Sequence, residues 1–129
     1  FLRVKLEKLA DWNRERQQIA EYYNHNIKNE KFVLPVIKEG EISKHVFHIY
    51  PILCEDREAL MEYLANKGIA TNVHYPIPIP MQGAYKNEGW DIAEYPVTEK
   101  ICAQEVSIPL YPGMTKEEID YVVDCLNQY

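Results

Sequence analysis

The chain has 129 residues, 47% of them hydrophobic and 26% charged, with a formal net charge of −6. These values fit a globular chain with its own core, exclude wholesale disorder, and argue against duplex nucleic acid, whose binding rests on Lys and Arg at phosphates. No run approaches the roughly 18 consecutive apolar residues of a membrane span and no secretory leader is visible, so no membrane partner is expected and the cytoplasm is the expected location.

From Leu2 to about Lys28 there is no Gly or Pro, and Leu2, Leu6, Leu9, Trp12, Ile19, Tyr23 and Ile27 recur in steps of three and four, which predicts one long helix with an apolar stripe. The polar run Arg14 to Gln18 interrupts the stripe, so the middle of the helix crosses solvent or faces another subunit. Such a helix is about 40 Å long, more than the roughly 35 Å breadth of a compact chain this size. Its first residues also offer no capping side chain, so the expectation is a chain cut from something larger. His25, near the helix end, is favoured there by the dipole and needs no other role.

Phe32 to Ile37 and His45 to Leu53 read as strands, a hairpin or neighbours, separated by the polar turn Lys38-Glu39-Gly40-Glu41. Asp56 caps a predicted helix from Arg57 to Lys67 with Leu60, Met61 and Leu64 inward and Gly68 past its end. A strand from Ile69 to Val73 follows, giving the strand, helix, strand order of an α/β sandwich with a small sheet. Pro76, Pro78 and Pro80 then fix an extended loop that cannot join a sheet interior. Gln82 to Lys86 predicts a short helical turn, Pro96 opens a helix to about Val106, and Ser107 to Leu110 reads as a short strand. Thr115 and Glu118 form a capping box for a last helix with Ile119, Val122, Val123 and Leu126 inward.

Chemistry-bearing residues are few. Cys54, Cys102 and Cys125 show no CxxC spacing and read as reduced, mostly buried thiols. His45 and His48, three apart on a predicted strand, would face opposite sides and so are poor partners for one metal. Tyr50, Tyr75, Tyr95 and Tyr111 each precede a proline, which biases them toward extended geometry. His74-Tyr75 is the one place where a titratable ring and a phenol fall on a rigid loop just after a strand end, which makes this pair the candidate site.

Several strings carry a family likeness. Val46-Phe47-His48-Ile49-Tyr50-Pro51-Ile52, Gly68 to Pro78 with its His74-Tyr75-Pro76-Ile77-Pro78, Gln82-Gly83-Ala84-Tyr85, Tyr95 to Glu99, and Ser107-Ile108-Pro109-Leu110-Tyr111-Pro112 together resemble the DegT/StrS family of sugar aminotransferases, in the family's order. Phe1 to Leu6 is similar to the helix that joins that family's large and small domains.

The resemblance implies the small C-terminal domain of a fold-type-I enzyme, α/β with a small, mostly antiparallel sheet, with residues 1–29 as linking helix and 30–129 as the α/β body. It further implies that pyridoxal phosphate is held on a lysine of a large N-terminal domain. An amino group would pass from glutamate to a nucleotide-linked keto sugar, with a 3-keto-6-deoxyhexose the nearest branch, for surface polysaccharide or lipopolysaccharide. A homodimer is the implied assembly. No lysine here lies in the family's Schiff-base motif, so the chain alone is expected to be inactive and to bind no cofactor. His74 and Tyr75 match the family's substrate-loop pair and are the expected sugar-nucleotide contacts, whereas Pro80 and Tyr111 stand where histidine is frequent. Two other readings stay open: a pyridoxamine-phosphate-dependent sugar dehydratase of the same fold, and a stand-alone α/β binding or regulatory module.

Overall fold

The structure, a computed structural model, describes residues 2–38 and 40–129. At its centre is an antiparallel sheet in the order β1–β2–β3, with β1 at Phe32–Val33, β2 at Tyr50–Cys54 and β3 at Glu105–Ile108. The register sets Phe32 opposite Cys54, Tyr50 opposite Ile108, and Ile52 opposite Val106. On the other edge of β3, Asn72 and Ser107 exchange backbone hydrogen bonds of 3.2 and 2.8 Å.

Burial alternates along β2, where Tyr50, Ile52 and Cys54 are buried and Pro51 and Leu53 only partly so. Period two therefore gives the sheet one inner face, against which the helices bury their stripes. Those helices are α2 (Leu9–Asn26) with Ile19, Ala20 and Tyr23, α3 (Arg57–Asn66) with Leu60 and Leu64, and α5 (Lys116–Gln128) with Ile119, Val122, Val123, Cys125 and Leu126. Tyr23 and Tyr50 meet edge to face at 5.1 Å, and each hydroxyl finds an acceptor, Pro109 O at 2.8 Å and Asn24 Oδ1 at 2.6 Å. Desolvation raises both phenol pKa values well above the ordinary tyrosine value, and for Tyr23 the neighbouring Tyr50 and Tyr111 add to it.

Both caps read from the sequence are present. Asp56 Oδ1 accepts from Ala59 N at 3.2 Å, and Thr115 Oγ1 accepts from Glu118 N at 3.2 Å while Glu118 Oε2 accepts from Thr115 N at 2.8 Å. Past α3, Gly68 takes φ +75°, the left-handed conformation that glycine adopts without penalty, and turns the chain toward buried Ile69. The three cysteines are unpaired, with Cys54 and Cys125 buried and Cys102 partly so.

Several expectations need correction. The single long helix is two: α1 (Leu2–Leu6) ends at a turn in which Lys8 N bonds Lys5 O at 3.0 Å, and α2 begins at Leu9. Leu2, Val4 and Leu6 are exposed, so no packing favours a straight helix through Glu7 and Lys8. Part of the polar middle of α2 is engaged within the chain, while Arg14 and Gln18 stay exposed. Gln17 Nε2 donates to the carbonyls of Ser43 and His45 at 3.2 and 2.8 Å, and Arg16 Nε donates to Val46 O at 2.9 Å.

Those same bonds explain why His45 to Ile49 is no strand: helix side chains take carbonyls that a ladder would use, and the chain turns at Phe47, φ +44°, to bury its ring. β1 is likewise only two residues long, with Pro35 close behind it. Of the expected turn between these segments, Glu39 lies outside the described residues, and Glu41 N bonds Lys38 O at 3.0 Å. Finally, Ile69 to Val73 contributes a single bridge rather than a strand, and α4 (Pro96–Gln104) ends before Glu105, so β3 begins earlier than Ser107. Among the described residues, no helix is long and apolar enough to cross a membrane.

Candidate functional site

All four residues of β3 are buried, with Val106 and Ile108 in the core and, by period two, Glu105 and Ser107 on the opposite face. That opposite face meets the segment Asn72 to Tyr75. Glu105, only 1% exposed, accepts the backbone N–H of His74 through Oε2 at 2.6 Å and the Ser107 hydroxyl through Oε1. His74 Nδ1 lies 2.9 Å from Ser107 Oγ, and its Nε2 lies 3.1 Å from Asn72 Nδ2. A buried carboxylate at the end of the sheet therefore holds the start of the proline loop by both backbone and ring.

Serine, histidine and an acid do meet here, but not as a nucleophile triad. In a triad the histidine takes the serine proton, whereas here Ser107 gives its hydrogen to Glu105. The arrangement fixes geometry and leaves the serine oxygen unactivated.

Tyr75 is 68% exposed, its ring edge-on to His74 at 5.7 Å, and among the described residues its hydroxyl meets no hydrogen-bond partner. The two expected site residues thus differ in state. His74 is tied at three points and half-buried, and Tyr75 is held out beside it on the loop.

His74, Asn72 and Ser107 line one wall of a groove of about 250 Å³. His48 and Leu110 line this groove and also a neighbouring one of about 510 Å³, whose walls include Asn13, Arg16 and Tyr111. His48, His74 and Tyr111, singled out separately in the sequence, fall along one concave strip. Pro80 does not join it, and with Trp90 and Tyr95 it lines a separate hollow of about 300 Å³.

The remaining histidines are accounted for locally. His45 and His48 are not on a strand, and His45 Nδ1 accepts from Phe47 N at 2.9 Å. His25 Nδ1 meets Glu21 O at 2.7 Å, one turn back on α2. Glu105 and Ser107 were missed in the sequence. The alternation Glu105-Val106-Ser107-Ile108 carries the signal, a polar face and an apolar face, but the helix predicted from Pro96 to about Val106 covers its start.

Every lysine in the chain is exposed, whereas an imine-forming lysine needs a desolvated pocket to lower its pKa. The residues present do not fit the covalent anchorage of pyridoxal phosphate.

Comparison with known proteins places this arrangement. The dTDP-3-amino-3,6-dideoxy-alpha-D-galactopyranose transaminase of Aneurinibacillus thermoaerophilus is 39% identical over 129 residues, covering 100% of this chain and 34% of that protein. The erythromycin biosynthesis sensory transduction protein EryC1 of Saccharopolyspora erythraea is 32% identical over 128 residues, 97% of this chain and 34% of that protein. Among solved structures, DesV of S. venezuelae in complex with a ketimine intermediate superposes with a TM-score of 0.90 at 28% identity, over 98% of this chain and 34% of that one. The chain spans about a third of the length of the relatives it matches. The profile of the DegT/DnrJ/EryC1/StrS aminotransferase family matches residues 1–127, and the chain belongs to that family.

Proposed function

We propose that this chain is the small C-terminal domain of a pyridoxal-phosphate-dependent sugar-nucleotide aminotransferase, with residues 1–29 linking to a large domain that carries the cofactor lysine. The observation that carries the reading is 39% identity, along the whole chain, to a transaminase whose name specifies a dTDP-linked 3-amino-6-deoxy sugar. In the whole protein, a cytoplasmic homodimer in this reading, the cofactor when bound supplies the carbonyl that takes an amino group from glutamate and passes it to a keto sugar on a nucleotide. The amino sugar would feed surface polysaccharide or lipopolysaccharide.

This chain's share of the work is substrate positioning. The groove beside His74 is concave and carries polar groups on apolar walls, as a sugar site requires. Tyr75, next to His74, offers an exposed phenol on a loop that Glu105 and three prolines hold in shape. A hydroxyl held there in advance adds orientation at small entropic cost.

The reading is tested in the polypeptide that joins this chain to a lysine-bearing domain. H74A and Y75F are expected to lower kcat/KM for the keto sugar about tenfold or more, the loss of roughly one hydrogen bond, and to leave the glutamate half-reaction unchanged. Equal losses in both half-reactions would count against sugar contact at these residues. Added to the isolated chain, pyridoxal phosphate is expected to give no imine absorbance. A stoichiometric, borohydride-trapped adduct at one lysine would overturn the assignment of the cofactor to another domain.

A further inference from the structure

The hydrogen-bond directions around His74 are set from both ends. At the buried end, Glu105 receives a backbone N–H and the Ser107 hydroxyl. Having given its only hydrogen to Glu105, Ser107 Oγ can meet His74 Nδ1 at 2.9 Å only as an acceptor, so Nδ1 carries the hydrogen. At the exposed end, Val73 N donates to Asn72 Oδ1 at 2.9 Å, which fixes the amide orientation and points Nδ2 at His74 Nε2, 3.1 Å away. A ring nitrogen facing an amide donor must be the acceptor. Both ends give the same tautomer.

We propose that Glu105 and Ser107 are positioning residues that lock His74 as the Nδ1–H tautomer, leaving Nε2 as an outward hydrogen-bond acceptor that takes a hydroxyl of the sugar in preference to a phosphate, carboxylate or keto oxygen. Burial separates the two bonds of the ring. Ser107 and Glu105 are buried and hold Nδ1 permanently, while Asn72 is exposed, so its amide is displaced from Nε2 by an incoming hydroxyl. Phosphates, carboxylates and carbonyls bring only acceptors and would face a lone pair. The position of Glu105, two residues before Ser107 on one strand face, makes the lock a property of β3 and leaves the loop tip out of it.

The inference rests on the substrate role of His74, and its first test needs no substrate. In ¹⁵N-labelled chain at mildly alkaline pH, where an ordinary imidazole is neutral, long-range ¹H–¹⁵N spectra are expected to show His74 protonated at Nδ1. E105Q reverses the chain: the Gln carbonyl accepts the His74 N–H, the Gln amide donates to Ser107, and Ser107 donates to Nδ1. The His74 signal is then expected to switch to Nε2–H, and S107A, which leaves only the Asn72 amide at Nε2, to weaken the Nδ1–H bias. An Nε2–H signal in the native chain, or an unchanged Nδ1–H signal in a folded E105Q or S107A, overturns the proposal. Should E105Q fail to fold, the native and S107A spectra still decide it. In the lysine-bearing polypeptide, E105Q is expected to raise KM for the keto sugar about tenfold with the glutamate half-reaction intact, and an unchanged KM beside a switched tautomer overturns the hydroxyl preference. Unaltered sugar turnover in H74A sinks the aminotransferase-site reading instead, a result distinguishable from every tautomer outcome.

Discussion

Two stretches of similar apolar content have opposite fates in this molecule. Around the sheet, Tyr23, Tyr50, Ile52, Leu60, Leu64, Val106 and Leu126 are almost wholly buried. Between Tyr75 and Gln104, Ile77, Ile79, Met81, Trp90, Val97 and Ile101 are just as apolar, yet no residue of the stretch is buried. Periodicity makes the difference. The first set falls at steps of two on strands or three and four on helices, so each element presents one continuous face. In the second, prolines and short turns scatter the side chains, and α4 has no buried residue. The excursion is secured at its ends instead, by the Glu105 bonds at His74 and by Arg57 Nη1, which donates to Cys102 O at 2.8 Å in the last turn of α4.

The sharpest way to break this contrast is a matched pair of truncations. Leu64→Ala removes a fully buried side chain and is expected to cost about 2–5 kcal/mol in urea unfolding, whereas Ile101→Ala in α4 should cost about 0.5 kcal/mol or less. Comparable losses would mean that the excursion shares the core after all. Alkaline titration probes the core from another side. Burial holds Tyr23 and Tyr50 protonated to higher pH in the folded chain than in the unfolded one, where tyrosine ionises near 10. Their contribution is therefore intact below pH of about 10 and lost as pH rises toward the folded values. Unfolding free energies measured across that range should fall, and fall less steeply in Y50F; equal slopes would remove Tyr50 from the account. A smaller effect, about 1 kcal/mol, is expected from Thr115→Ala, which takes an acceptor from Glu118 N and half of the capping box of α5.

What could be read in the sequence divides along the same line. The caps at Asp56 and Thr115, the turn at Gly68 and the inner faces of α3 and α5 were legible because each depends on residues within one or two turns of itself. His45 to Ile49 misled because its β-branched and aromatic residues suit a strand, while the carbonyls are claimed by Arg16 and Gln17, some 30 residues earlier, which no local window contains. The site was half legible for the same reason. His74 and Tyr75 stood out as a ring and a phenol on a proline-fixed loop, and the strings around them carried the family likeness. Glu105, 31 residues further on, becomes part of the site only when β3 lies beside Asn72 and brings its polar face under the loop.

The smallest expected effect tests the excursion directly. Val97 is 70% exposed on the second position of α4. Val97→Ser removes apolar surface that is already in water, so the folded and unfolded chains lose it alike and the transfer term cancels. The change in unfolding free energy should stay within about 0.5 kcal/mol, the ordinary range for a surface substitution. Hydrogen exchange at α4 should also be unaltered, because the helix is anchored by Arg57 at Cys102, more than a turn beyond residue 97. A loss above about 1 kcal/mol would require Val97 to be covered in the folded chain, and the division between a packed sheet and an exposed excursion would then fail at its most exposed helix.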